Sequence, residues 1–287
     1  MHVSTSTLSY CPPYDWTALT TFLAARQIDG VERVGNARYE RTFVIEGCEG
    51  HVEATHVPDR HCFRVTVRAG DRSVFSGVFS RLRRLLDLDL DPAQVAAHFG
   101  GDSLLRPLVA ARPGLRVPGA FDPFEISVRA ILGQQVTVAG ATRLCSRLVH
   151  SFGRQSIAAP VASGLTHLFP EPAALAVASV AKIGMPRNRA TTINALAEAV
   201  DADAQFFEGE PTAVRARLLA IRGIGDWTAQ YVSMRALGDR DAFPSGDLGL
   251  QRALARGRLR PTTRQMETRS ERWRPWRAYA ALHLWSA

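Results

Sequence analysis

Apolar residues recur along this chain with two different periods, and the changes of period mark its units. From Tyr14 to Arg26 the run YDWTALTTFLAAR puts Trp16, Leu19, Phe22 and Leu23 on one helical face. Next, 37–45, 51–56 and 61–68 alternate polar and apolar residues, with Gly47, Gly50 and Pro58 between them. This predicts an antiparallel sheet with a helix against it. The stretch before Tyr10 is polar and reads as loose. Helical spacing returns near 74–87 and again after Asp91-Pro92. A Pro/Gly-punctuated connector, ARPGLRVPG at 111–119, leads to Asp122-Pro123-Phe124-Glu125. There Asp122 can cap a helix, Pro123 suits its first position and Glu125 completes a capping box. The helix so opened bends near Gly133-Gln134-Gln135. Two further helical pairs follow. Runs at 172–180 and 187–200 are joined by Ile183-Gly184-Met185-Pro186, and a helix from Thr212 to Ile221 is joined by Gly223-Ile224-Gly225 to one bearing Trp227, Tyr231, Met234 and Leu237 on a single face. The last run, 272–285, interleaves arginines with aromatics. The fold class is therefore α+β, mostly α. Its expected units are 1–90 (the sheet), 91–121 (connector and helices packing on the C-terminal part), 122–238 (the paired helices) and 239–287 (a C-terminal helical unit).

Composition narrows the partner. The formal charge is +8, and Lys182 is the only lysine among 35 Lys and Arg. A basic, arginine-rich surface favours an anionic partner and bidentate phosphate contact. Cys11, Cys48, Cys62 and Cys145 are scattered, and the eight histidines form no H-x-x-x-H pair, so neither a metal site nor an iron–sulfur cluster is expected. No apolar run is long enough to span a bilayer, and the N-terminus lacks a basic segment followed by an apolar one. A cytoplasmic setting is the expectation.

The candidate chemistry gathers between Leu218 and Leu250. A Gly-x-Gly turn brings bare N–H groups to a helix N-terminus and makes an anion site suited to a phosphate. Asp247 stands ten residues past the second helix, in the turn-forming run Pro244-Ser245-Gly246. It can cap the following helix, carry out chemistry, or both. The Ile183–Pro186 turn lacks a second glycine, and Pro186 has no N–H, so it reads as architecture.

Helix, glycine hairpin, helix and a following aspartate resemble the DNA glycosylases. Across nearly the whole chain the runs PPYDWTALTTFLAAR, ARPGLRVPG, FEISVRAILGQQV, IGMPRNRA, RGIGDWTAQYVSMRALGDRDAF and ERWRPWRAYAALHLW are similar to the AlkA type of DNA-3-methyladenine glycosylase II, within the helix-hairpin-helix superfamily. The resemblance implies an N-terminal antiparallel sheet unit and two helical units with a cleft between them. It implies Asp247 as the catalytic carboxylate, and Phe22, Trp227, Tyr231 and Trp285 as the base pocket. It places Gly223, Gly225, Thr228 and Gln135 at the DNA. No metal and no cofactor are implied, apart from room for a structural monovalent cation at hairpin carbonyls. The implied partner is double-stranded DNA carrying alkylated bases, met by a monomer near the nucleoid. Two departures stand out. Gln135 occupies the place of a leucine wedge, and Pro-Ser-Gly precedes Asp247 where some relatives carry a second carboxylate. A bifunctional lyase is set aside, because Trp227 stands where those enzymes carry the amine nucleophile.

Overall fold

The computed structural model describes residues 1–35, 37–255 and 259–287. Five strands, β1 (His2–Ser9), β2 (Glu32–Val34), β3 (Arg38–Ile45), β4 (Cys48–Val57) and β5 (Cys62–Ala69), form one antiparallel sheet in the order β1-β5-β4-β3-β2. Val52, Val65 and Val67 point from it into a core closed by Trp16 and Leu19 of the helix Trp16–Ala24 and by Val78 and Leu82 of the helix Phe75–Leu85. Asp15 caps the first of these by accepting from the Ala18 N–H at 2.9 Å.

The segment before Tyr10, expected to be loose, is an edge strand. β1 pairs with β5 along its whole length, from His2 opposite Ala69 to Ser9 opposite Cys62. Its side chains are mostly exposed or half-buried, so no apolar alternation marks it. The backbone ladder holds it instead.

Two helical cores complete the molecule. One gathers Ile28, Val31 and residues from Ala120 to Ala236, among them Ile131, Leu148, Leu175, Leu196 and Leu218. The other joins residues 90–117 to the C-terminal helices through Leu105, Leu250, Met266, Trp273 and Leu282. The helix Leu105–Ala111 is short, and Thr263–Ser270 carries one strongly apolar residue, Met266, too few to be seen by period. The signal available for Thr263–Ser270 was its capping box, in which Thr262 and Gln265 exchange side-chain-to-backbone bonds.

Both arginines of the 111–119 connector are engaged within the protein. Arg112 pairs with Asp15 at 2.8 Å. Arg116 is 2 % exposed and donates to the carbonyls of Cys11, Pro13, Asp87 and Leu90. A second buried network fastens the sheet to the helix Pro123–Leu132. Glu125 accepts from Arg41 of β3 and from Arg129, and Arg129 also reaches Glu32 of β2 at 2.6 Å. Tyr39 donates to the same Glu32 at 2.8 Å. Two guanidiniums meet two carboxylates here, so the cluster is neutral as a whole.

Candidate active site

The two helices of the glycine hairpin are Pro211–Leu219 and Asp226–Ala236. Between them the glycines have separate duties. Gly223 sits at φ +96°, and a Cβ there would fall 2.0 Å from Thr192 Oγ1, so the turn itself requires glycine. Gly225 has an extended backbone and caps the second helix, and a Cβ there would meet no atom within 4 Å. The protein leaves that position open to solvent, beside the N–H groups of the first helical turn. Neighbours fix the hairpin from both flanks. Thr192 Oγ1 donates to the Arg222 carbonyl at 3.0 Å, and Gln134 Nε2 donates to the Gly223 carbonyl at 3.1 Å. The turn after Ile183 follows the same plan with Gly184 at φ +88°, but Pro186 precedes its helix Arg187–Ala202 and supplies no N–H.

The second hairpin helix does not present one apolar face to one core. Thr228, Ala229 and residues 232–236 are all buried, while Trp227 and Tyr231 look into a cleft. Met234 joins the C-terminal core instead. The helix is a partition between two cores, which is why its stripe of aromatics is available to a ligand.

That cleft has a volume of about 650 Å³ and brings together Phe22, Trp227, Tyr231, Asp247 and Trp285. Sequence separations of more than 200 residues close here into one wall. Asp247 begins the helix Leu248–Ala255, and its Oδ1 accepts from the Leu250 N–H at 3.0 Å, so it is a cap. It is more than a cap. Oδ2 accepts from the indole Nε1 of Trp227 at 2.9 Å, and Oδ1 accepts from the indole Nε1 of Trp285 at 2.9 Å. Gly249 allows this approach, since a Cβ would lie 2.9 Å from Asp247 Oδ1 and 3.3 Å from the Trp285 ring. The preceding loop is held by Ser245, which is 2 % exposed and donates to Glu267 at 3.2 Å.

The opposite wall is built on arginine. Trp227 stacks on Tyr231 at 5.2 Å and 9°, and the Tyr231 hydroxyl accepts from Arg235. Arg235 lies over the Phe22 ring at 4.8 Å and Arg26 covers that ring at 3.6 Å. Burial alone would push the Tyr231 phenol up, but the guanidiniums of Arg235, Arg26 and Arg129 outweigh it and hold its pKa below the ordinary value. Cys145 also lines the cleft, and burial pushes its thiol up to about 12, so it stays protonated and is no nucleophile. Lys182 lies in the turn Val180–Ile183, apart from the cleft lining. Among the described residues no group of three His, Cys, Asp or Glu is placed to hold a metal ion.

The structure brings the four expected aromatics together in one cleft and gives two of them a further contact. Besides ring faces, Trp227 and Trp285 offer N–H groups that orient the carboxylate. The half-buried Arg26 and Arg129 and the buried Arg235 carry no mark in the sequence that separates them from surface charge. Thr228 is 2 % exposed, on the first turn of the second hairpin helix, and its hydroxyl accepts from Gln134 at 3.1 Å. Gln135 is exposed at φ +58°, at the tip of the bend between the helices Pro123–Leu132 and Val138–Phe152.

Comparison with known proteins agrees with this geometry. The AlkA N-terminal domain family matches residues 5–122, and the HhH-GPD superfamily of base excision DNA repair proteins matches residues 128–278. The chain belongs to the AlkA-type HhH-GPD family. Within this family it is 36% identical over 286 residues to DNA-3-methyladenine glycosylase 2 of Escherichia coli, covering 97% of this chain and 96% of that one. It is 38% identical over 279 residues to a Mycobacterium tuberculosis protein described as a probable bifunctional transcriptional activator/DNA repair enzyme AlkA. That match covers 96% of this chain but 55% of the relative, so the chain spans about half the length of that larger protein. Among solved structures the 3-methyladenine DNA-glycosylase of Archaeoglobus fulgidus superposes with a TM-score of 0.83 at 23% identity, covering 98% of this chain and 97% of that one. The last match speaks for the fold.

Proposed function

We propose that the chain is a monofunctional DNA glycosylase that releases alkylated purines, 3-methyladenine and 7-methylguanine among them, from duplex DNA in base excision repair. One observation carries the reading: a carboxylate in an aromatic cleft whose donors among the described residues are two indole N–H groups and one backbone N–H, none of them a guanidinium or ammonium. Its negative charge is left for the substrate.

The reaction needs little more. Alkylation at N3 or N7 leaves a purine cationic, so the C1′–N9 bond breaks with its electron pair passing to the base, which departs neutral without a general acid. Positive charge then develops on the sugar. Asp247 stabilises that charge and orients the water whose oxygen bonds to C1′, the proton passing to the carboxylate or to solvent. The base must first leave the stack, and the cleft with Trp227, Tyr231 and Trp285 receives it. Phe22 contributes less bare ring surface, because Arg26 already covers one face. Gln135 fills the gap left in the duplex, and the N–H groups beside Gly225 hold a backbone phosphate.

The remaining assignments belong to the same proposal. The enzyme acts as a monomer in the cytoplasm and makes no strand nick, since Trp227 stands at the amine position and Lys182 lies outside the cleft. A monovalent cation at the hairpin would share carbonyls already engaged, that of Ile221 by the Ile224 N–H and that of Gly223 by Gln134, each with a second lone pair to offer. No step depends on it. Release of free bases from methylated DNA, identified chromatographically, tests the activity, and borohydride trapping tests the absence of a Schiff base. Binding without base release would make the chain a DNA-binding module; a trapped covalent complex would overturn the monofunctional assignment.

A further inference from the structure

We propose that Gln134 is a positioning residue that couples the hairpin's hold on the DNA backbone to the seating of Gln135 in the duplex. The proposal rests on the glycosylase reading above. Its ground is a set of bonds that makes the bend and the hairpin one body. The Gln134 amide nitrogen donates to the Gly223 carbonyl at 3.1 Å and to the Thr228 hydroxyl at 3.1 Å, which uses both of its N–H groups on the hairpin and the first turn after it. The backbone of the same residue is held from a third element. Arg189, on the helix Arg187–Ala202, donates to the Gln134 carbonyl at 2.6 Å and to the Leu132 carbonyl at 3.5 Å.

Gln135 follows directly, exposed and in the left-handed region, where a side chain with a Cβ stays only if its surroundings hold it. Those surroundings are Gln134 and its partners. Val136 and Val138, 40% and 43% exposed, flank the tip as apolar shoulders that can rest on base or sugar edges. A phosphate bound beside Gly225 fixes the hairpin relative to the strand; through the Gly223 carbonyl it then fixes where Gln135 enters. Without the amide, the hairpin grips and the tip wanders. A mere brace for the fold would behave differently, because its loss would harm every substrate alike.

The test uses the full chain with Gln134→Met, which keeps the volume and removes both bonds, and Thr228→Val, which keeps the shape and removes one acceptor. Three readouts are taken: single-turnover release of 3-methyladenine from duplex and from single-stranded DNA, fluorescence of 2-aminopurine beside the lesion as a measure of flipping, and affinity for undamaged duplex. For Gln134→Met the duplex rate should fall about tenfold with a smaller flipping signal, the scale of a lost pair of neutral hydrogen bonds. The single-strand rate and the affinity for undamaged duplex should stay within about twofold, and Thr228→Val should shift the duplex rate the same way by less. Equal loss on both substrates, a loss of affinity for undamaged DNA, or a duplex rate at the wild-type level would each overturn the coupling. Failure of the wild-type protein to release base would instead sink the glycosylase reading itself.

Discussion

Glu125 and Asp247 are both carboxylates drawn into the protein near helix N-termini, and their partners differ in kind. Glu125 is 4 % exposed and meets two guanidiniums, Arg41 and Arg129. Burial alone would raise its carboxyl, but those two charges outweigh burial and hold its pKa below the ordinary carboxylate range. Asp247 is half-buried, and among the described residues it meets neutral donors, two indoles and a peptide N–H. A carboxylate neutralised by arginine joins the sheet to the helical domain. One oriented by neutral donors keeps a charge that, on the proposed function, is free for a cationic substrate. The hairpin repeats this division on a smaller scale, with Gly223 serving the turn and Gly225 facing solvent.

Removing the charge from each carboxylate separates the two roles, and the largest effect is expected at Glu125. Glu125→Gln leaves Arg41 and Arg129 buried with one fewer counter-charge and should cost about 3–5 kcal/mol of stability, read by denaturant unfolding. Base release per folded molecule should be unchanged within about twofold. The pH dependence carries a sign. Because the folded pKa of Glu125 is depressed, its stabilisation is complete above the unfolded value of about 4.3 and is lost as pH falls through the folded value. Wild-type stability should therefore decline on that acid limb, and the variant should show less of it. An unchanged unfolding midpoint for Glu125→Gln would remove the contrast.

Asp247→Asn should do the reverse. Asparagine caps a helix about as well as aspartate, so stability should change by less than about 1 kcal/mol. The single-turnover rate should drop roughly 10²–10³-fold, about 2.7–4 kcal/mol, the scale of losing an electrostatic stabiliser of a transition state. Binding to damaged DNA should survive. A variant that folds, binds and releases 3-methyladenine at the wild-type rate would reduce Asp247 to a cap.

The glycines sharpen the same contrast at intermediate size. Gly223→Ala forces a Cβ against Thr192 in a left-handed turn and should cost about 1–3 kcal/mol of stability. Gly225 takes a Cβ without any contact inside the protein, so a leucine there should leave the unfolding midpoint nearly unmoved while weakening binding to damaged and undamaged duplex alike. Wild-type affinity should fall with salt at a log–log slope of about −0.9 per neutralised phosphate. Intact DNA affinity in Gly225→Leu would detach the hairpin from phosphate binding.

How much of this was legible beforehand depends on the length scale of the signal. The hairpin, Asp247 and the helix start at Asp122 are written in contiguous residues, and local turn and capping chemistry reads them directly. Strands β3, β4 and β5 were visible in the alternation of polar and apolar residues, whereas β1, whose side chains mark no face, and the three-residue β2 were missed. The pairing of Trp285 with Asp247, the Arg26–Phe22–Arg235 stack and the bond from Gln134 to Gly223 join residues far apart in the chain. No periodicity encodes such contacts, and a single sequence names the residue types without saying which of them meet.

The smallest expected effect probes the donors themselves. Trp285→Phe keeps an aromatic wall and deletes the N–H to Oδ1; Trp227→Phe does the same for Oδ2. After Trp285→Phe the carboxylate keeps a donor on each oxygen, and after Trp227→Phe it keeps two donors on Oδ1, the Trp285 indole and the Leu250 N–H. Each single variant should lose about tenfold in single-turnover rate, near 1.4 kcal/mol, with Asp247 still in place. Removing both leaves one backbone donor on one oxygen, and the carboxylate can rotate away from the sugar. The double variant should therefore lose more than the product of the singles, a coupling of 0.5 kcal/mol or more in a double-mutant cycle at about the lower bound for contacting groups. Strict additivity would mean the indoles act only as walls for the base. In that case the difference between Asp247 and Glu125 would lie in exposure and not in the kind of donor each one meets.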